Sequence, residues 1–231
     1  MKKGLTVLII LAVVIVLVMV FLVIFSDKFG ANKAKDLGVK FSDADLQSGR
    51  SQMGVTLEDL TSEDKSLEFS GTKVITGTYT SEMITAMISA AKYKYYPLTN
   101  TQIKIAQDGT IEAAGNFNID KAMKWSKDLG TNKTTLNGAK IATSLISNNP
   151  SFYLSGKMTV KKNKINLNIS KAKISRFNIP KFYINRYQKN LAAFVEQRIS
   201  NVPNMDLSSV EFGSGAMQLN GTYAEVEKSL K

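Results

Sequence analysis

Three Ser-x-x-Lys spacings, at Ser62–Lys65, Ser89–Lys92 and Ser170–Lys173, match a pattern in which a lysine helps activate a nucleophilic serine. No Lys-Thr-Gly accompanies them, and a chain rich in Ser and Lys produces such spacings by chance. Histidine and cysteine are both absent. Their absence removes the commonest general base, the commonest zinc ligands and most hydrolase triads. The acidic pairs Glu58-Asp59 and Glu63-Asp64 lack the glycine-centred spacing of a calcium loop. The residue inventory therefore points away from an enzyme, and no metal site or cofactor is expected.

What remains is binding chemistry. The formal net charge is +11, and it is unevenly placed. Residues 31–90 hold six basic against nine acidic side chains, whereas residues 151–200 hold eleven basic against one acidic. Lys161, Lys162 and Lys164 gather at what reads as a hairpin tip, suited to an anionic membrane surface or equally to plain solubility. Lys92-Tyr93-Lys94-Tyr95-Tyr96 interleaves bases with aromatics, a pattern for sugar stacking, a lipid interface or a packed helix end. Anionic lipid headgroups or an anionic envelope polymer suit this charge outside a membrane, where nucleic acid is not a partner. A simply solvated polar face is the alternative.

The positioning elements begin with a run from Leu5 to Phe25 in which nothing is more polar than Thr6. As a helix these 21 positions extend roughly 31 Å, the thickness of a bilayer's hydrocarbon core. The run ends in Phe21-Leu22-Val23-Ile24-Phe25 instead of the small residues of a cleavage site, so an uncleaved anchor is expected. Lys2 and Lys3 precede it, which predicts a cytoplasmic N-terminus and residues 26–231 on the far side of a cell membrane. The expected organisation is a tip and transmembrane anchor over 1–26, an acidic tether over 27–66, and an extracytoplasmic α+β domain over 67–231.

Within the tether, Ser42 and Asp45 have the spacing of an N-cap and its third position. Leu67 to Tyr79 alternates as a strand, and Thr80-Ser81-Glu82 opens a helix with Met83, Ile84, Met87, Ile88 and Ala91 on one face. Residues 102–106 and 110–119 predict a hairpin that pairs Ile105 with Ile111 around a left-handed Gly109. Two modest helices follow, at 120–129 and 139–147. A second hairpin turns at Lys162-Asn163 and pairs Val160 with Ile165 and Met158 with Leu167. Beyond Ser170 its apolar residues change phase, which predicts a bulge. Lys181 to Ser200 reads as the longest helix of the domain, with a stripe of Tyr183, Tyr187, Leu191, Phe194, Val195 and Ile199. Two last strands follow, at 207–212 and 216–223.

From Phe152 to Tyr223 the order is a basic-tipped hairpin, a long strand ending Ile174-Ser175-Arg176-Phe177-Asn178-Ile179-Pro180, an amphipathic helix, a Val-Pro break and two glycine-joined strands. This order resembles membrane-anchored bacterial envelope proteins akin to the tubular lipid-binding superfamily. The resemblance rests on order and patterning over about a third of the chain, with no invariant motif. It implies a curved antiparallel sheet packed around a long amphipathic helix, with an apolar groove for acyl chains. With the apolar run at 5–25, the expected fold is α+β, a transmembrane helix followed by that sheet and helix. The groove-facing residues it implies are Met158, Val160, Ile165, Leu167, Tyr183, Tyr187, Leu191 and Val195. Ordinary core is the other reading of the same eight, since a lipid groove and a core use the same residue types. The expected function is to hold or shuttle a lipid or lipid-linked envelope component. The alternative is a non-enzymatic scaffold for an envelope protein partner.

Overall fold

The computed structural model describes residues 33–61, 67–91, 93–128 and 149–230. The expected anchor at 5–25, the helix at 139–147, the Ser62–Lys65 pair and Lys92 lie outside them. Among the described residues, no helix is long and apolar enough to cross a membrane.

The fold is α+β, built on a large antiparallel sheet with few helices. In chain order the elements are α1 (Asp43–Met53), β1 (Thr56–Asp59), β2 (Leu67–Ser70), β3 (Lys73–Thr80), α2 (Ser81–Ser89), β4 (Leu98–Ile105), β5 (Ile111–Phe117) and α3 (Ile119–Asp128). Then come β6 (Ser151–Lys161), β7 (Lys164–Ile174), β8 (Phe177–Asn178), α4 (Lys181–Asn201), β9 (Asp206–Gly213), β10 (Ala216–Tyr223) and β11 (Val226–Ser229). Local chemistry sets the helix starts. Ser42 accepts from the Asp45 N–H and the Asp45 carboxylate accepts from the Ser42 N–H, a reciprocal cap that satisfies two donors at once. Thr80 accepts from the Met83 N–H to open α2.

Among the described residues the strands form two sheets. The larger runs β3-β10-β9-β6-β5-β4, with β7 and β8 added on the other side of β6. The long strand β6 is its axis. Ser151–Gly156 pair with β5, Val160 and Lys161 pair with β9, and β7 follows the opposite edge of β6. Strands β5 and β9 thus meet end to end along β6, and their turns touch where the Ser214 N–H donates to the Gln107 carbonyl at 3.0 Å. The smaller sheet, β1-β11-β2, continues the β3–β10 ribbon through Gly71 and Glu225. The strand expected over 67–79 is therefore divided: at Gly71 (φ +69°) the chain leaves one sheet for the other.

Both hairpins form in the expected registers, Ile105 with Ile111 and Val160 with Ile165. Lys162 and Asn163 take φ of 49° and 61°, the backbone of a tight two-residue turn that matches strand twist. The phase change in β7 is a bulge. Ser155 pairs with Lys171 and Gly156 with Ile169, leaving Ser170 extra, and the Ser170 hydroxyl donates to the Ser155 carbonyl at 2.9 Å. A Cβ on Gly156 would meet the Asn168 carbonyl, so the bulge admits no side chain opposite it.

The stretch expected to be a tether contributes to the fold. Strand β1 pairs in parallel with β11, and Met53 and Val55 are buried in the main core with Tyr79, Phe117, Phe152 and Tyr223. The acidic composition of 57–64 hid a four-residue strand whose Leu57 packs against the core while Glu58 pairs with Lys228 at 2.9 Å.

Three stretches of open edge on the larger sheet meet a helix through side-chain oxygens. On β3 the Thr78 N–H donates to Gln52 of α1 at 3.0 Å. On β4 the Ile103 and Ile105 N–H groups donate to Thr85 and Ser81 of α2, at 3.0 and 2.9 Å. On β7 the Ile165 and Ile169 N–H groups donate to Glu196 and Gln188 of α4, at 2.8 and 3.2 Å. Four helical residues rise about 6 Å and two strand residues about 6.7 Å, so i, i+4 oxygens on a helix match i, i+2 amides on a strand. Unpaired edges invite other chains, and these three are occupied.

Candidate functional site

The eight residues implied as ligand-facing lie on two elements that pack together, α4 and the β6–β7 hairpin. Helix α4 packs along β7. It starts after Pro180, whose carbonyl accepts from Tyr183 and Ile184. It runs antiparallel to β7, so that Gln188 reaches Ile169 and Glu196 reaches Ile165 near the hairpin tip.

The eight residues divide by depth. Met158, Val160, Leu191 and Val195 are buried in the main apolar cluster. Ile165 and Leu167 are half-buried and pack against that cluster. Tyr183 and Tyr187 are half-buried on the flank of α4, where the Arg186 guanidinium lies 5.6 Å from the centre of the Tyr187 ring. The buried stripe of α4 is Ile184, Leu191, Val195 and Ile199, with Gln188 half-buried among them. Ile184 replaces the two tyrosines as the anchor of the first turns. The side chain of Phe194 lies outside the described residues.

The three lysines of the hairpin tip, Lys161, Lys162 and Lys164, are all exposed, and the tip is backed by a neighbouring strand. The tip lies along β9: Lys162 and Asn163 donate their N–H groups to the carbonyls of Ser208 and Leu207, both at 3.0 Å. The Asn163 side chain accepts from the Leu207 N–H at 2.6 Å and donates to Asp206 at 3.0 Å. Lys161 pairs with Glu211 at 3.9 Å and Lys164 with Glu196 at 2.9 Å, while Lys162 is exposed in the turn. The Ile165 N–H and then Lys164 hold the Glu196 carboxyl below the usual carboxylate range. One carboxylate thereby fastens helix, strand and tip together.

Sequence reasoning passed over Gln188 and Glu196, although Glu196 carried a signal. It is the sole acidic residue between Asp128 and Asp206, so its neighbourhood had to be its reason for being there.

The other candidates are spread apart. Tyr93 and Tyr96 are buried, and Lys94 and Lys124 lie 5.8 and 5.2 Å from the Tyr95 ring, so this cluster packs the end of α2. Burial pushes the Tyr96 hydroxyl pKa up. The Ser170 hydroxyl is committed to the β7 bulge, with Lys173 exposed. Comparison of the chain with protein-family models, with curated proteins and with solved structures found no match.

Proposed function

We propose that this chain is a membrane-tethered, extracytoplasmic binding protein that holds or shuttles a lipid or lipid-linked envelope component, with no bond-making chemistry of its own. The observation that carries the reading is the seam itself. Helix α4 is pinned to the β7 edge by two polar contacts, Gln188 to Ile169 and Glu196 to Ile165, with apolar side chains around them. Ile165, Leu167, Tyr183 and Tyr187 are half-buried. A curved sheet wrapping α4 would let an acyl chain part these contacts without breaking a β ladder. The apolar run at 5–25 supports the tether and the lipid-rich setting.

The second reading is a scaffold for an envelope protein partner. Its support is that Met158, Val160, Leu191 and Val195 already pack in one continuous core.

Leu191→Trp separates the two. In an expandable seam the variant folds and blocks lipid uptake. In a close-packed core the added bulk costs about 1–3 kcal/mol. Native mass spectrometry of residues 29–231 purified without detergent is the direct test. A co-purifying phospholipid or polyprenyl mass that Leu191→Trp removes establishes the groove. A chain that stays free of lipid after incubation with liposomes overturns it and leaves the scaffold.

A further inference from the structure

Among the described residues, the corner where β8 turns into α4 carries the most exposed aromatic surface of the basic region. Phe177 and Phe182, on either side of Pro180, are 42 % and 67 % exposed. Phe182 stacks edge-on against Tyr183, with ring centres 5.5 Å apart. Arg176 and Lys181 are their immediate chain neighbours and Arg186 follows Phe182 by one helical turn, all exposed, and Lys171 and Lys173 are exposed on the neighbouring end of β7. Phe182, Arg186 and Lys189 recur at the i, i+4, i+7 spacing of one helix face, opposite the buried Ile184 and Leu191. No Asp or Glu occurs between Asp128 and Glu196 to offset these cations. A lone exposed phenylalanine needs no explanation. Two at one corner, ringed by bases, carry the amphipathic signature of a surface that enters a headgroup layer.

A second observation places this corner beside the incoming chain. Gln102, Ala114, Tyr153, Lys173 and Asn178 pair in one row across β4, β5, β6, β7 and β8. Residues 35–37 cross that row. The Leu37 N–H donates to Gln102 at 2.6 Å, while Lys35 sits 4.0 Å over the Tyr153 ring and 3.1 Å from Glu112. Tyr153 in turn donates to Glu112 at 2.6 Å, which fastens the segment to the sheet. From Tyr153 to Asn178 is two strand spacings, about 10 Å. The apolar run ends at Phe25, so the seven residues before Lys33 reach at most about 24 Å. The aromatic corner, at the opposite end of β7 from the lysine tip, therefore lies within reach of an anchor at 5–25.

We infer that the Phe177–Phe182 corner, with Arg176, Lys181 and Arg186, is a docking surface for an anionic lipid bilayer. Its phenylalanines enter the headgroup layer and its cations pair with lipid phosphates. This goes beyond the lipid-holding reading. It draws on the tethered topology and is independent of whether the α4 seam opens.

The chain contains no cysteine, so a single introduced thiol reports without competition. The full chain is reconstituted in nanodiscs with the environment-sensitive dye NBD on Asn185→Cys, or on Val74→Cys of the distant strand β3, which is 71 % exposed. In discs containing phosphatidylglycerol, the label at 185 is expected to brighten severalfold relative to phosphatidylcholine discs, with no change at 74. Each cation near such a surface contributes about a fivefold gain. Arg176/Lys181/Arg186→Gln, all at exposed positions, should therefore lower the docking equilibrium constant on the order of a hundredfold. Phe182→Ser, at the more exposed of the two positions, should strongly reduce the brightening with little change in the unfolding midpoint. Equal response at 185 and 74 in both lipids overturns the docking surface. A chain that does not co-elute with the discs overturns the tether, and the inference with it.

Discussion

The hydroxyl of Thr85 holds both backbone groups of Ile103: it accepts from the Ile103 N–H at 3.0 Å and donates to the Ile103 carbonyl at 3.3 Å. One side chain on α2 thus does for β4 what a neighbouring strand would. Both residues are fully buried, so neither backbone group has water to fall back on. Thr85→Val keeps the shape and removes the partner. The expected loss is about 1–3 kcal/mol, checked by chemical denaturation, with the Ile103 amide exchanging faster than its neighbours on β5.

Glu196 performs the corresponding task on β7 from a more exposed position, with its side chain 22 % exposed. Glu196→Ala leaves the Ile165 N–H without its carboxylate and should cost about 1 kcal/mol. Amide exchange at Ile165 should rise while Ile103 is unaffected. Because the native carboxyl titrates below its ordinary range, its contribution is present above pH ~4.5 and is lost as the solution is acidified through the native value. The Ala variant should lack that part of the acid dependence.

Gly156 faces the bulge at Ser170, and its backbone runs too close to Asn168 for a Cβ. Gly156→Ala should therefore cost about 1–3 kcal/mol by overpacking. The loss would be read as a lower urea midpoint. A variant as stable as the parent would mean that β7 can release the bulge.

Glu227 titrates in the opposite sense to Glu196. It is 1 % exposed on β11, between Leu57 of β1 and Phe69 of β2, with the Tyr223 hydroxyl at 3.5 Å. Burial pushes its carboxyl up to about 8 from an ordinary 4.5. Between those values the native state holds a proton that the unfolded chain has released. Stability from this group is therefore full below pH ~4.5 and declines as pH rises toward 8. Glu227→Gln should flatten that decline and raise the thermal midpoint at pH 8, with little change at pH 4.5.

Much of the fold was legible along the chain because its signals are local. The Ser42 and Thr80 caps, the left-handed Gly109, the Lys162-Asn163 turn and the bulge after Ser170 each depend on a few neighbouring residues. Strands β1 and β11 were illegible for the complementary reason. Leu57-Glu58-Asp59 and Val226-Glu227-Lys228 have no strand pattern of their own, and each becomes a strand by pairing with the other across most of the chain.

The candidate site divides along the same line. Amphipathic spacing alone determined that 181–200 is a helix and that Leu191 and Val195 face inward, because a helix repeats its face within a few residues. Only the tertiary structure decided what that face meets and what lies beside each end of the hairpin. Glu211 and Glu196 reach the lysine tip from β9 and α4, and residues 35–37 cross β4 to β6 at the other end of the sheet, two strand spacings from β8. Contacts between residues so far apart in the chain depend on sheet register, which no local run of side chains contains.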